Sequence, residues 1–147
     1  VASPGPPGPP PRWGSPEVPK GRPTVWSADG ADVISPAAGG SGQGPIEAAV
    51  GSDAWAIGVD SDQYLTASAE QQGHILTSML KQVDVSVFET IKAAQDGTLT
   101  GGFATYDLTS GGVGYSTSGG YLDDVVDQLE EIKAGIIAGD IVVPTAP

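Results

Sequence analysis

Trp55-Ala-Ile-Gly-Val-Asp-Ser-Asp-Gln63 is the stretch on which the fold reading turns. Trp55 to Val59 is an apolar run that ends abruptly in Asp60 and Asp62. A parallel strand covered on both faces reads as such a continuous run. In an open α/β sheet, ligands lie outside the carboxyl ends of the strands. The two aspartates are therefore expected at a ligand-facing rim. Working outward, Ala31-Asp-Val-Ile-Ser-Pro-Ala-Ala-Gly-Gly-Ser-Gly-Gln-Gly-Pro-Ile-Glu-Ala-Ala49 reads as strand, glycine loop and helix. On the other side, Ile75-Leu-Thr-Ser-Met-Leu-Lys81 is an apolar segment that ends in a lysine.

The rest of the chain continues the alternation. Val33-Ile34 marks a first strand within Ala31–Ala38, and Pro45 suits the first turn of a helix through Ile46–Val50. Gly51-Ser-Asp53 is a turn, and Gly58 inside the second strand signals close backbone approach. Tyr64–Gly73 is a polar connection, and Ile75–Leu80 leads into a helix over Val83–Ala94. Val83, Val87, Ile91 and Ala94, with Phe88 beside them, make an apolar stripe on that helix. Gly101–Leu108 and Val113–Tyr115 flank Thr109-Ser-Gly-Gly112 in a hairpin-like pattern. A last helix spans Asp123–Ala138 with a stripe of Val125, Leu129, Ile132 and Ile136, and Gly139 ends it. Ile141–Pro144 is a terminal strand or tail. This order predicts an α/β fold with a largely parallel sheet flanked by helices.

Composition narrows the function. The 147 residues suit about one domain. No cysteine is present, so disulfides, thiolate metal sites and lipidation of a cysteine within these residues are excluded. One histidine, His74, rules out a multi-histidine metal site. A net charge of -12 argues against nucleic acid and anionic membrane surfaces as partners. No apolar run approaches the ~20 residues of a membrane span, and the first residues lack the apolar core of a signal peptide. Residues 1–23 carry nine of the 13 prolines and three of the six basic residues, and read as a disordered or polyproline II tail. A ligand for a proline-binding domain or an out-of-frame start are the other readings of that stretch. Residues 24–147 are the folded part. Deleting residues 1–23 is expected to move the melting temperature by less than about two degrees, since they offer nothing apolar to bury. Loss of cooperative unfolding in that deletion would show that the tail packs.

Three elements could carry binding. A carboxylate at a strand end, as at Asp60, can accept two hydroxyl donors at once; its bland reading is a solvated turn aspartate. Asp62 is expected to order the loop. Lys81, if it stands beside a helix start, is electrostatically unfavourable there and so asks for a reason; its bland reading is a solvated lysine. Gly39, Gly40, Ser41 and Gly42 would let a ligand touch backbone amides. Gly40, Gly42 and Gly44 approximate a dinucleotide loop with Asp60 about 20 residues on, so a Rossmann-like domain is the alternative. His74 reads as a surface residue. Asp123, Asp124, Asp127, Glu130 and Glu131 read as the solvated face of the last helix. Trp55 reads as core or lobe junction.

The blocks Ala31-Asp-Val-Ile, Ala37-Ala-Gly-Gly-Ser-Gly42, Trp55–Gln63, Leu76-Thr-Ser-Met-Leu-Lys81, Gly101-Gly102, Tyr106-Asp-Leu, Gly111-Gly-Val-Gly114 and Ile136–Pro144 resemble, in order and spacing, the C-terminal part of the basic membrane protein family. These are substrate-binding lipoproteins of ABC importers and include purine nucleoside receptors. The resemblance implies part of a type I periplasmic-binding-protein fold, with two lobes closing on a nucleoside. It implies that Asp60 accepts the ribose hydroxyls, that Lys81 donates to a purine acceptor, and that Gly39 and Gly40 contact sugar or base. It also implies no enzymatic activity and no cofactor or metal. Permease subunits would be the partners of a monomer at the extracellular or periplasmic face of the membrane. Family members are much longer, so this chain reads as a truncated or frameshifted member; an inert product is a further alternative.

Overall fold

In the computed structural model, which describes residues 30–37 and 42–144, the α/β alternation is present. The elements in order are β1 (Val33–Ile34), α1 (Gln43–Gly51), β2 (Trp55–Asp60), a 3-10 turn (Gln63–Thr66), α2 (Ala69–Gln72) and β3 (Ile75–Lys81). They are followed by α3 (Val83–Gln95), β4 (Val113–Tyr115), a 3-10 turn (Asp123–Val125) and α4 (Val126–Ala138). The four strands form one sheet in the order β1-β2-β3-β4. β1, β2 and β3 are mutually parallel, and β4 runs antiparallel to β3. The proline-rich residues 1–23 lie outside the described residues.

The core sits where α1 crosses β1 and β2. Ile34, Ile46, Ala49, Ala54, Ala56 and Ile75 are buried together, with Tyr64 and Ala67 packed against them. Small alanines at 49, 54 and 56 let the helix and strand approach closely. Pro45 falls in the first turn of α1, where its missing N–H costs nothing. The helix ends in the expected turn, where Ala54 N–H closes onto Ala49 O at 2.9 Å and Asp53 adopts φ 53°.

Gly58 confirms the close approach read from sequence. A Cβ there would collide with the Ser78 hydroxyl and lie 2.9 Å from Gln63 Oε1. Ser78 itself is fully buried on β3 opposite Gly58. Gly58→Ala is expected to destabilise the chain by about 1–3 kcal/mol through overpacking. A urea midpoint unchanged from that of the parent would contradict the packing described.

Two sequence expectations, the hairpin and the surface placement of His74, need correction, and two others are sharpened. Gly101–Leu108 forms no strand, so the hairpin is absent. Instead Asp107 Oδ1 accepts the N–H groups of Thr109 at 2.9 Å and Ser110 at 3.1 Å, and Gly112 N–H returns to Asp107 O at 2.8 Å. That side-chain turn competes with a ladder, and β4 pairs with β3 instead. The Ser110 amide, with that of Thr109, holds the Asp107 carboxyl below the ordinary carboxylate range. Ile141–Pro144 forms no strand; Ile141 N–H donates to Gly135 O at 3.1 Å as α4 closes at Gly139, where φ is 83°. The α3 stripe is not buried: Val87 is 52 % exposed and Phe88 64 %. His74 is half-buried rather than on the surface, and its Nδ1 lies 3.0 Å from Ala54 O.

Candidate functional site at the carboxyl edge of the sheet

Asp60 is the last residue of β2 and is exposed. Its φ is 71°, a conformation uncommon for a residue with a side chain. Ser61 N–H donates to Val59 O at 3.0 Å, which closes a three-residue γ-turn centred on Asp60. The positive-φ form of that turn is rare and strained. Strain of this kind costs on the order of 1–3 kcal/mol and concentrates at functional sites. Asp60 makes no side-chain hydrogen bond or ion pair with any described residue.

Lys81 ends β3, the strand beside β2, and is also exposed. Asp60 stands opposite Leu80, so Lys81 is one position further along the same edge. The two residues singled out from sequence thus share one rim, without an ion pair between them. Lys81 belongs to a strand and not to a helix start; α3 begins two residues later at Val83, with Asp84 in its first turn. An acid at that helix N-terminus offsets the unfavourable cation. Gly39 and Gly40 lie outside the described residues. By sequence they belong to the connection between β1 and α1.

Asp62 orders the loop, as expected. Its Oδ2 accepts the Ser116 hydroxyl at 2.7 Å and the Ser118 hydroxyl at 2.5 Å. Its Oδ1 is buried and has no partner among the described residues. Gln63, which the sequence reading passed over, is equally committed. Its Oε1 accepts Val59 N–H at 2.9 Å, and its own N–H donates to Ser78 Oγ at 3.1 Å. Gly58 was the available signal for it, since something had to fill the space left without a Cβ. Trp55 meets Tyr121 edge-on at 4.9 Å between ring centres, a packing role.

A groove of about 400 Å³ opens nearby between β3, β4 and α4, lined in part by Leu80, Gln82, Tyr115, Glu130 and Lys133. Neither Asp60 nor Lys81 lines it. Its polar groups answer one another. Tyr115 donates to Glu130 Oε1 at 2.8 Å, and Lys133 Nζ stands 3.1 Å from Glu130 Oε2. The Tyr115 hydroxyl, then Lys133, draw the Glu130 carboxyl down, and Glu130 in turn raises the Tyr115 phenol. Among the described residues no cluster of three or more His, Asp or Glu side chains could hold a metal. No helix among them is long and apolar enough to cross a membrane.

A largely parallel sheet with polar residues presented at its carboxyl edge is the layout of a ligand-binding α/β protein. Residues 23–146 match the family Bmp, described as ABC transporter substrate-binding protein PnrA-like, and the chain belongs to that family. It is 36 % identical over 134 residues to the CD4+ T-cell-stimulating antigen of Listeria monocytogenes, a span of 82 % of this chain and 38 % of that protein. It superposes with a TM-score of 0.71 and 25 % identity on solute-binding proteins of an ABC transporter system from Aeropyrum pernix K1, covering 92 % of this chain and 46 % of that one. A transcriptional activator of the comK gene from Bacillus halodurans matches with a TM-score of 0.76 and 25 % identity, over 90 % of this chain and 46 % of its own. The chain spans less than half the length of these relatives. The resemblance read from the sequence blocks, and the α/β fold it implied, are thereby borne out.

Proposed function

We propose that this chain supplies part of the ligand grip of an ABC importer's substrate-binding protein, and that the ligand is a nucleoside, with a purine nucleoside preferred. The observation that supports this most is Asp60, held at φ 71° on the carboxyl edge with its carboxylate uncommitted, while Asp62 two residues on gives its Oδ2 to the Ser116 and Ser118 hydroxyls. An ionised carboxylate that accepts both ribose hydroxyls makes two charge-assisted bonds. Lys81, on the next strand, donates to a purine acceptor such as O6 or N7. Gly39 and Gly40 offer backbone amides to sugar or base. The protein binds without chemistry, as a monomer, at the extracellular or periplasmic face of the membrane. Its closed form docks on permease subunits.

A thermal-shift panel of inosine, guanosine, adenosine, cytidine and NAD tests this. A ligand at ten times its dissociation constant adds about 1.4 kcal/mol of stability, or roughly five degrees for a domain near this size. Purine ribonucleosides are expected to raise the melting temperature and NAD is not. A shift with NAD alone points to a dinucleotide site, and no shift with any ligand, in this chain and in one joined to a relative's N-terminal region, removes the binding reading.

A further inference from the structure

The segment after Asp60 is tied down more heavily than a surface loop requires. Asp62 Oδ2 gathers two hydroxyls, from Ser116 and Ser118, that lie 54 and 56 positions away in the chain. Ser116 is itself fixed to β3: its N–H donates to Ser78 O at 2.9 Å, and its carbonyl accepts the Thr77 hydroxyl at 2.6 Å. Ser118 N–H adds a bond to Ser116 Oγ at 3.1 Å. On the other flank, Gln63 holds Val59 N–H and Ser78 Oγ. With Val59 fixed on one side and Asp62 and Gln63 on the other, two residues remain to join them. The strained γ-turn at Asp60 is what closes that gap.

Asp62 bears a cost in doing this, since its Oδ1 is buried with no partner among the described residues. Burying part of an ionised group without full hydrogen bonding is unfavourable. Strain persists only where its surroundings over-determine it. We infer that Asp62 is a positioning residue: through Ser116 and Ser118 its carboxylate locks the γ-turn that aims Asp60, and so sets the affinity for a ligand's adjacent hydroxyls without touching the ligand. The part about affinity rests on the reading of Asp60 as the ribose acceptor. Release of the lock lets Asp60 relax toward negative φ and swings its carboxylate off the rim.

The test uses the 147-residue chain with inosine and 2′-deoxyinosine as probes, read by NMR titration and by amide hydrogen exchange. Asp62→Ala is expected to weaken inosine about tenfold and 2′-deoxyinosine by less than about threefold. Exchange at Ser61 N–H is expected to accelerate by about tenfold or more, while Ala56 N–H, bonded to His74 O in the sheet, keeps its protection. Ser118→Ala removes one of the two hydroxyls and should move both readouts in the same direction by about threefold, and Ser118→Thr should restore them. If Asp62→Ala does not fold, the Ser118 pair decides. Unchanged Ser61 exchange in these variants overturns the lock, as does equal weakening of both nucleosides. If the parent chain binds neither nucleoside, the affinity comparison is made in the chain joined to a relative's N-terminal region, where failure to bind removes the nucleoside reading, and Ser61 exchange still decides whether Asp62 holds the turn.

Discussion

Asp60→Ala should cut nucleoside affinity by roughly 30- to 1,000-fold when residues 24–147 are joined to the remaining part of a family sequence. Two charge-assisted hydrogen bonds vanish together, at a cost of about 2–4 kcal/mol. The loss is expected to exceed that of Asp62→Ala, because Asp62 is spent on Ser116 and Ser118 and acts only through the turn. The fold should survive: Asp60 is exposed, and alanine at φ 71° adds strain at one residue only. Calorimetry with a ribonucleoside and its 2′-deoxy analogue separates the terms. The parent should prefer the ribonucleoside, and Asp60→Ala should lose most of that preference. Equal and weak effects on both ligands would contradict the ribose assignment.

The second large effect concerns enclosure. Asp60 and Lys81 are both exposed and neither lines the groove beside β4, so a ligand held by them keeps a face in water. The entropy lost on immobilising it is nevertheless the same. The 147 residues by themselves are therefore expected to bind a nucleoside no tighter than about millimolar, near -4 kcal/mol. Joining the N-terminal region of a longer relative ahead of Ala31 should tighten binding by about a thousandfold or more, into the micromolar range or below. Micromolar affinity in the 147-residue chain would mean that the rim suffices alone.

The sheet was legible in the sequence because its strands are apolar runs that stop at charges. Trp55–Val59 followed by Asp60 became β2 as read, and Ile75–Leu80, read only as an apolar segment leading into the next helix, became β3 with Lys81 at its end on the same edge. Gly58 foretold its own crowding against Ser78. The hairpin around Thr109–Gly112 misled because glycine and serine between two apolar stretches fit a β-turn and a side-chain-capped loop equally. Only the partner offered by β3, together with the Asp107 side chain, decides between them. The α3 stripe has the right period and still lies exposed, since periodicity says which face is apolar and not what covers it. At the site, residue types were readable but geometry was not. A γ-turn at Asp60, and its dependence on serines more than 50 positions away, are long-range facts with no local sequence signature.

An NMR titration of the 147-residue chain with inosine up to several millimolar tests the Asp60–Lys81 rim directly. The largest amide shift changes are expected at Asp60, Ser61 and Lys81, with a dissociation constant of about a millimolar or weaker, and Asp60→Ala should abolish them. Shifts confined to the groove at Tyr115, Glu130 and Lys133, or none at saturating inosine, would contradict it.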